Sequence, residues 1–355
     1  MNFSDNLISW YYQHKRKLPW RNTNDAYKIW VSEVILQQTR VEQGLAYYER
    51  IIAKYPDIFS LAAAKEEDLL KLWQGLGYYT RARNMLSAAQ EIVADYAGIF
   101  PHSFNEIIKI KGIGKYTAAA ILSFAYDLPY PVMDGNVKRV LSRYFCLTGD
   151  IVNTATEKEL ENKLQKVFDK KRPSDFNQAI MEFGALHCKA DNPGCANCVV
   201  KDGCIAFLKN KVAELPVKSR RTKVKTRYFY YLVPWLKVHG QKYTFLQKRE
   251  AEDIWKHLFQ FPLIETAKKL SWNRLAVTPE FKNFLKNDHY KVLEISDVYF
   301  HKLSHQTICA VFVQLEVFSG LHDEKLNKVP IQNLKKYPTS RLIEKYLNEH
   351  VFADT

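Results

Sequence analysis

The chain has 355 residues, of which 47% are hydrophobic, and its 52 lysines and arginines against 38 acidic residues give a formal net charge of +14. This length predicts two domains, each with enough apolar residues for a core. The basic excess favours a polyanionic partner, with nucleic acid as the first candidate. The sequence has no apolar run long enough to span a bilayer and no basic segment leading into an apolar one, so we expect neither a membrane span nor a signal peptide.

The strongest helical periodicity covers residues 26–52, and Glu33 lies inside it. The helical neighbours of this carboxyl group are large and apolar: Ile29, Trp30 and Leu36. Burial among them would raise the pKa of Glu33, as a general acid near neutral pH requires. The alternative places Glu33 at the edge of the apolar stripe, with its head group in water. Gln38 follows and is able to reach base edges.

Two further helices are predicted over residues 57–73 and 80–96, joined by the loop Gln-Gly-Leu-Gly-Tyr-Tyr at 74–79. Its glycines permit close backbone approach. Leu76 and Tyr78 form an apolar and aromatic tip of the kind that wedges between stacked bases. An ordinary helix C-cap with packed tyrosines fits the same pattern.

The stretch 111–143 combines two signals. Gly112 and Gly114 form a Gly-x-Gly turn whose backbone N–H groups can hold a phosphate, although ordinary helix–helix turns share the pattern. Asp134 lies downstream, where it can cap the next helix. A helix N-terminus lowers the pKa of an adjacent carboxylate. We therefore expect a raised pKa for Glu33 and a lowered one for Asp134, which is how one site gains an acid and an anion.

Four of the six cysteines follow two helices predicted within 156–187, with the spacing C-x6-C-x2-C-x5-C. They are Cys188, Cys195, Cys198 and Cys204. In a chain without an export signal such compact spacing indicates metal binding rather than disulfides. Four thiolates suit either zinc or an iron–sulfur cluster, and the chemistry alone does not choose between them. Cys146 and Cys309 lie outside the pattern and are expected to be plain buried residues.

Composition changes at residues 216–227, where PVKSRRTKVKTR is predicted to be a basic linker, either close to DNA or merely solvated. From Tyr228 onward the pattern is β-rich, with strands predicted at YFYYLVPWLKV, YTFLQKR, VLEISDVYFHKL and ICAVFVQLEVF. Helices are predicted near 277–286 and 339–349. This region, 228–355, is expected to be a separate α+β domain.

Together these motifs resemble the adenine DNA glycosylases of the MutY type, within the endonuclease III superfamily. The matching segments cover nearly the whole chain: LPWR at 18–21, WVSEVILQQTRV at 30–41, GLGYYTRARN at 75–84, KGIGKYTAAAI at 111–121, VMDGNVKRVLSR at 132–143, FNQAIMEFGALHC at 176–188 and the four-cysteine loop. The resemblance implies a mainly α N-terminal helix-hairpin-helix glycosylase domain at 1–215 and a C-terminal α+β Nudix-like (MutT-like) domain at 228–355. The cysteine spacing matches the 4Fe–4S loop of the superfamily, which implies one 4Fe–4S cluster at 188–204.

The resemblance also implies a function. It predicts a monofunctional base-excision-repair glycosylase that hydrolyses the N-glycosidic bond of adenine mispaired with 8-oxoguanine or guanine. The implied partner is double-stranded DNA, acted on by a monomer that is cytoplasmic and associated with the nucleoid in a bacterial-type cell. The Gly, Arg-Glu and paired-glutamate run that Nudix hydrolysis needs is not found between 228 and 350, so this domain should bind without hydrolysing.

The resemblance also implies a role for each residue of this chain that matches a family motif. Glu33 is implied to be the general acid, and Asp134 the carboxylate that stabilises or captures the oxocarbenium ion. The implied supporting and base-pocket residues are Tyr116, Asn136, Arg21 and Glu182. The implied contacts to DNA and the lesion are Gln38, Leu76, Tyr78, Gly112, Gly114, Ser304 and His305. On its own pattern the Ser304-His305 segment is an ordinary hairpin turn.

Two features separate this chain from its relatives. Leu303 stands where the family usually has Phe before Ser-His, which weakens the expected stacking contact. Tyr116 stands where endonuclease III-like lyases place a Schiff-base lysine. An endonuclease III-like enzyme, a thymine-mismatch glycosylase and a non-enzymatic damage binder remain alternatives. The first two usually lack the second domain, and retention of both Glu33 and Asp134 disfavours the third.

Overall fold

The computed structural model describes residues 2–219, 224–286, 289–319, 321 and 323–352. The chain divides into two compact units, one formed by residues 1–64 with 83–220 and the other by residues 65–82 with 221–355. We call them the helical unit and the sheet unit. Residues 65–82 therefore group with the C-terminal part of the chain, although the sequence placed them in a 1–215 domain. Along the described residues, no helix has the length and apolar character needed to cross a bilayer.

Residues 2–219 contain twelve α-helices. In chain order they are α1 Phe3–His14, α2 Ala26–Leu36, α3 Val41–Lys54, α4 Ile58–Ala62, α5 Glu66–Leu72, α6 Thr80–Tyr96, α7 Phe104–Ile107, α8 Lys115–Tyr126, α9 Gly135–Tyr144, α10 Thr154–Val167, α11 Pro173–Leu186 and α12 Ile205–Leu208. The helix predicted over 57–73 is two short helices, α4 and α5. The two helices predicted within 156–187 correspond to α10 and α11.

The single helix predicted over 26–52 is wrong, because the chain breaks between α2 and α3. Gln38 adopts a positive φ of 56°, in the left-handed region that an α-helix does not allow. The apolar periodicity continues on both sides of the break, so the pattern alone did not reveal it. The break turns Gln37, Gln38 and Thr39 into a loop at the rim of the cleft described below.

The core of the helical unit brings together helices that are distant in sequence. Leu7 of α1, Val140 of α9, Leu164 of α10 and Phe183 of α11 belong to one buried cluster. The approach of α9 to α11 needs Gly184, because a Cβ atom there would lie 2.7 Å from Cβ of Asn136. This close packing fixes the start of α9, where Asp134 lies.

In the described part of the sheet unit, eight strands form one mixed sheet. Its strands are β1 Lys225–Val238, β2 Gln241–Lys248, β3 Phe259–Gln260, β4 Leu263–Thr266, β5 Tyr290–Ile295, β6 Tyr299–Lys302, β7 Gln306–Val317 and β8 Leu326–Pro330. The main order is β3-β2-β1-β7-β5, with β4 on β1, β6 on β7 and β8 on β2. Strands β1 and β7 are parallel, whereas the other pairs are antiparallel. The strand predicted over VLEISDVYFHKL is two strands, β5 and β6.

Helices cover both faces of this sheet: α13 Trp272–Leu275, α14 Pro279–Leu285 and α15 Arg341–His350. Successive side chains of β1 point to opposite faces. Phe229 and Tyr231 join the cluster that includes Tyr346 of α15, while Tyr230 and Leu232 join the cluster that includes Phe281 of α14. Because β1 is buried on both faces, its sequence is a nearly unbroken run of apolar residues. The expected α+β character of this region is confirmed.

The predicted linker at 216–227 has different bounds in the structure. Val217 accepts a hydrogen bond from the backbone N–H of Ile151, and the N–H of Ser219 donates to Asp150. These contacts attach the first part of the segment to the helical unit. Strand β1 already begins at Lys225, and residues 220–223 lie outside the described residues.

Candidate active site

One cleft in the helical unit collects most of the residues singled out from the sequence. It is lined, among others, by Arg21, Glu33, Gln38, Gly112, Gly114, Tyr116, Asp134, Asn136 and Glu182. These residues come from five separate stretches of the chain. The structure therefore brings together the proposed catalytic, base-pocket and hairpin residues of the helical unit.

Glu33 lies on the buried face of α2, with only 6% of its surface exposed. The hydroxyl of Tyr116 donates a 2.7 Å hydrogen bond to Oε2 of Glu33. Burial raises the pKa of Glu33 to about 7, against the lowering effect of this hydrogen bond and with a further rise from the charge of Asp134. The raised pKa expected from the apolar neighbours is confirmed, and the edge position for Glu33 is not what the structure shows. A carboxyl group with this pKa is half protonated near neutrality, as a general acid requires.

Asp134 is the N-cap of α9, as the sequence predicted. Its Oδ1 accepts from the backbone N–H of Val137 at 2.7 Å, and its Oδ2 accepts from Nδ2 of Asn136 at 2.7 Å. The expected lowering of its pKa is wrong, because burial raises the pKa of Asp134 and outweighs these donors. The donors still favour the carboxylate form relative to an equally buried acid without them.

Tyr116 lies in the first turn of α8, directly after the glycine turn. Burial raises its pKa well above the usual value, and the neighbouring carboxyl groups raise it further, so the phenol keeps its proton and acts as a donor. Its hydroxyl also lies 3.8 Å from Sδ of Met181 on α11. The Tyr116 hydroxyl therefore contacts both the proposed acid on α2 and Met181 on α11.

Glu182 is held by two arginines rather than left open toward the cleft. It accepts five hydrogen bonds: from the backbone N–H, Nε and Nη2 of Arg16 and from Nη1 and Nη2 of Arg21. Although burial raises the pKa of Glu182, the bonds from Arg21 and Arg16 lower it to about 2. Glu182 thus fixes the guanidinium groups of Arg16 and Arg21 at the cleft. Sequence reasoning missed Arg16, whose only signal was its place in the basic run before Arg21.

Sequence reasoning also missed Arg139, which connects the start of α9 with the cysteine loop. Its Nη2 donates to Oδ1 of Asn136 at 2.9 Å and to the carbonyl of Gly184 at 2.7 Å, and its Nε donates to the carbonyl of Cys188 at 2.9 Å. Asn136 in turn donates to Asp134. Arg139 therefore orients Asn136 from the side opposite Asp134. The i,i+3 spacing from Asn136 was the signal available in the sequence.

The glycine turn precedes α8 and remains accessible. Gly112 has a φ of +83°, and a Cβ atom there would lie 2.8 Å from Cβ of Asn84, so both its conformation and its packing require glycine. Gly114 is the N-cap of α8 and has open space around it. The buried side chain of Ile113 anchors the turn. The open N-terminus of α8 beside it suits a phosphate group.

The lesion-reading candidates lie in the sheet unit. Tyr78 is 47% exposed, and its hydroxyl shares a 2.5 Å hydrogen bond with Oγ of Ser304. His305 is exposed beside Ser304, and Leu303 packs partly against the sheet core. Leu76 differs from its expected place at an exposed tip, because only 7% of its surface is accessible. The loop therefore presents Tyr78 to solvent and packs Leu76 inside.

The four cysteines line one cavity in the helical unit, together with apolar side chains such as Val140, Phe183 and Val200. In the described part of the chain no group of three or more His, Cys, Asp or Glu side chains is arranged to hold a single metal ion. Burial raises the pKa of Cys198 to about 11. The buried guanidinium of Arg143 donates from Nη1 to Sγ of Cys188 at 3.5 Å. Four sulfurs, a buried cation and an apolar wall fit a thiolate-bound group, whose binding must displace the thiol protons.

Comparison with known proteins decides the family. A profile of HhH-GPD superfamily base excision DNA repair proteins matches residues 31–170. The adenine DNA glycosylase of Buchnera aphidicola subsp. Baizongia pistaciae is 39% identical over 310 residues, covering 86% of this chain and 84% of that protein. The chain belongs to the adenine DNA glycosylase family. The adenine DNA glycosylase of Buchnera aphidicola subsp. Schizaphis graminum is 35% identical over 91% of this chain and 90% of that protein.

Solved structures agree on the fold of the helical unit. A thermostable thymine-DNA glycosylase aligns with a TM-score of 0.54 and 27% identity, over 58% of this chain and 95% of that chain. A trapped endonuclease III–DNA covalent intermediate aligns with a TM-score of 0.51 and 24% identity, which shows the fold alone. The predicted family, fold class and enzyme class are therefore confirmed. This family member is a base-excision DNA glycosylase that removes adenine, and its substrate is DNA.

Proposed function

We propose that this enzyme removes adenine that is paired with 8-oxoguanine or guanine, using Glu33 as general acid and Asp134 as the stabilising carboxylate. The observation that carries this proposal is the buried Glu33 with a pKa of about 7, bonded to Tyr116 and close enough to Asp134 to feel its charge. Two carboxyl groups in one cleft form the arrangement that glycosidic bond cleavage uses.

The proposed reaction begins when adenine leaves the base stack and enters the cleft, at a cost of a few kcal/mol for unstacking. The carboxylic proton of Glu33 passes to a ring nitrogen of adenine. The C1′–N9 bond then breaks, its electron pair leaves with the base, and the sugar gains oxocarbenium character. The carboxylate of Asp134, held by Asn136 and the N–H of Val137, stabilises this cation or adds to it covalently. Water then attacks C1′, which releases the Asp134 carboxylate where it has added, and passes a proton to the Glu33 carboxylate, leaving an abasic site and restoring both acids.

The other residues of the cleft orient Glu33 and Asp134 or hold the DNA. Tyr116 orients the Glu33 carboxyl group, and Asn136 orients that of Asp134. Arg21, fixed by Glu182, offers guanidinium donors to the flipped base. Gln38 fills the stack near the cleft, and the Gly112–Gly114 turn with the start of α8 binds a backbone phosphate. Each of these roles rests on the residue's place in the cleft.

We propose one 4Fe–4S cluster on Cys188, Cys195, Cys198 and Cys204, supported by the shared cavity and the adjacent Arg143 cation. When bound, the cluster would tie the 188–204 loop to α9 and α11 and stabilise the DNA-facing surface. Arg139 joins this loop to Asn136 through the carbonyl of Cys188. The loop therefore supports the position of Asp134 without taking part in bond cleavage.

We propose that the two parts of the chain divide the work. Residues 1–215 carry every group assigned to bond cleavage, and residues 228–355 read the base opposite adenine through Ser304 and His305, with Tyr78 and Leu76 beside them. The 216–227 segment then serves as the connection near DNA, and the enzyme acts as a monomer on nucleoid DNA. Tyr78 is the surface-exposed wedge, while Leu76 supports it from within.

The test uses duplexes with adenine opposite 8-oxoguanine, guanine or thymine, and one with thymine opposite guanine. After incubation, alkali breaks the strand wherever a base has been removed. We expect breaks at adenine opposite 8-oxoguanine and, more slowly, opposite guanine. Equal removal of adenine from all three pairings contradicts the proposed specificity. Breaks at thymine opposite guanine instead would point to a thymine-mismatch glycosylase.

A further inference from the structure

The loop at 74–79 connects α5 with α6 and has a strained backbone. Gly75, Gly77 and Tyr78 all have positive φ values, of 93°, 79° and 49°. Glycine adopts this region freely, whereas tyrosine does not, because its Cβ crowds the carbonyl oxygen. Such a conformation persists only where surrounding contacts hold it. The contacts around Tyr78 are therefore part of how the loop presents its ring.

Contacts within the loop supply only part of this support. Nε1 of the fully buried Trp73 donates to the carbonyl of Gly77 at 3.0 Å. The guanidinium of Arg81 lies over the rings of Trp73 and Tyr78 and donates from Nη2 to the same Gly77 carbonyl at 3.3 Å. Arg81 therefore stabilises the loop through contacts within the loop itself.

Further support comes from the segment that joins the sheet to α15. The hydroxyl of Tyr79 donates to the carbonyl of Thr339 and accepts from the N–H of Gly75, at 3.4 and 3.3 Å. Oε1 of Gln74 accepts from the N–H of Thr339 at 3.5 Å, and Nζ of Lys71 donates to Gln74 at 2.8 Å and to the carbonyl of Tyr337 at 3.2 Å. This segment is itself fixed, since the carbonyl of the neighbouring Pro338 accepts from the N–H of Phe259 in β3.

A second anchor lies at the other end of the loop, where Tyr78 meets Ser304. Helix α5 is attached to the same sheet by a hydrogen bond between Glu66 and Nδ1 of His257 and by an ion pair of Glu67 with Lys248. The loop and helix α5 therefore make polar contacts with four places in the sheet unit: the 337–339 segment, Ser304, His257 and Lys248. Tyr79 is only 6% exposed and Thr339 only 2%, so neither residue is available to touch DNA.

We propose that Thr339, Tyr337 and Ser304 of the sheet unit hold the 74–79 loop in the conformation that presents Tyr78, so that this unit sets specificity through the position of Tyr78 as well as by direct contact. Tyr79, Gln74 and Lys71 are the positioning residues on the loop side. This inference rests on the proposed function, in which Tyr78 fills the base stack beside the base opposite adenine.

A shortened protein would lose the lesion contact and the support of the 74–79 loop at the same time. A chain that ends near residue 215 lacks Ser304, but it also lacks Thr339 and Tyr337, which bond to Tyr79, Gln74 and Lys71. Loss of preference for 8-oxoguanine in such a protein would therefore not assign lesion reading to Ser304. Single-atom changes in the full-length chain separate the two effects.

The first experiment measures hydrogen–deuterium exchange in the full-length protein without DNA. Tyr79→Phe removes only the hydroxyl that contacts Thr339 and Gly75. Tyr230→Phe is the matched control, because it removes a buried hydroxyl bonded to the carbonyl of Leu270 in the same unit. We expect faster exchange of the amides at 75–80 in Tyr79→Phe and no change there in Tyr230→Phe. Unchanged exchange in Tyr79→Phe overturns the anchoring.

The second experiment measures single-turnover adenine release opposite 8-oxoguanine and opposite guanine. We expect Tyr79→Phe and Lys71→Met each to reduce the ratio of the two rates by roughly threefold to tenfold, the effect of one or two hydrogen bonds. In a Tyr78→Ala background the further change caused by Tyr79→Phe should fall below about twofold, since the ring to be positioned is gone. A full additional effect in that background contradicts the proposal.

The two outcomes also separate this inference from the proposed function. If the wild-type protein releases no adenine opposite 8-oxoguanine, the proposed function fails, whatever the exchange data show. If it releases adenine with the expected preference and Tyr79→Phe leaves both the exchange and the rate ratio unchanged, only the anchoring fails.

Discussion

The hydroxyl of Tyr116 donates to Oε2 of Glu33 across 2.7 Å in the cleft of the helical unit, where Glu33 is buried and Tyr116 is half-buried. This bond favours the charged form of Glu33, while burial favours the neutral form. Burial is the larger effect, so the pKa of Glu33 rises to about 7 and not further. The pair thereby holds an acid that is protonated in a substantial fraction of molecules near neutral pH.

Glu33→Gln should abolish adenine release, because the amide has no acidic proton to give. General acid catalysis contributes about 10²- to 10⁴-fold, and we expect a loss in that range or larger. Duplex binding, measured by fluorescence anisotropy, should remain within about threefold of wild type, since such a change in Kd is under 1 kcal/mol. Glu161→Gln, an exposed residue of α10, is the matched control. Substantial excision by Glu33→Gln would remove Glu33 from the acid role.

Glu33→Gln should also stabilise the folded protein at high pH. The pKa of Glu33 is about 7 when folded, against 4.5 as the ordinary value, so the folded state binds its proton more tightly. Wild-type stability therefore falls as pH rises from about 4.5 to about 7, by up to about 3 kcal/mol from this group. We expect the variant to gain in Tm at pH 8 and much less at pH 4. An equal gain at both pH values contradicts the assigned pKa.

Tyr116→Phe should shift the pH dependence of adenine release upward. Release needs protonated Glu33, so the rate falls as pH rises through the pKa of Glu33. Removing the phenol removes a bond that lowers this pKa, and the falling limb should therefore move to higher pH. The profile of the single-turnover rate checks this, with Tyr27→Phe, which loses a buried bond to the carbonyl of Tyr55, as the control. If the falling limb does not move in Tyr116→Phe, the hydrogen bond from Tyr116 does not lower the pKa of Glu33.

The enzyme should have at most weak strand-cleaving activity, because Tyr116 occupies the position of the Schiff-base lysine in endonuclease III-like lyases. Lys115 is adjacent, but it is exposed and on another face of α8. Borohydride added during turnover should trap no stoichiometric enzyme–DNA adduct. An endonuclease III-like enzyme trapped in parallel shows that the assay works. Efficient trapping that disappears in Lys115→Ala would instead assign lyase chemistry to Lys115.

The purified protein should contain about four irons and four sulfides, since four thiolates suit one cubane cluster. Cys198→Ser should lose the brown colour and most of the iron, whereas Cys309→Ser, which replaces a cysteine on β7 remote from the loop in sequence, should keep both. Because the loop is bonded to Arg139 and Arg143, loss of the cluster should also lower Tm. A colourless, active protein that contains zinc would reject the cluster.

Much of this protein was determined by its sequence alone. The apolar neighbours of Glu33 indicated its burial, and the residues before α9 indicated a capping Asp134. The spacing of the four cysteines indicated that they lie in one loop, and metal binding by that loop stays a prediction. The β-rich C-terminal region was also visible, because local periodicity and turn residues encode secondary structure directly. The motifs that resemble adenine DNA glycosylases lie in these same stretches.

The tertiary structure decided which partner each of these groups meets and how deeply it is buried. Sequence spacing did not show that Arg16 and Arg21 both bind Glu182, that Arg139 joins Asn136 to Cys188, or that α5 belongs with the sheet. It gave the wrong direction for the pKa of Asp134, because the capping donors are local whereas burial depends on the packing of distant helices. Tyr78 and Ser304 are 226 residues apart in the chain, and only the folded sheet unit places their hydroxyl groups in contact.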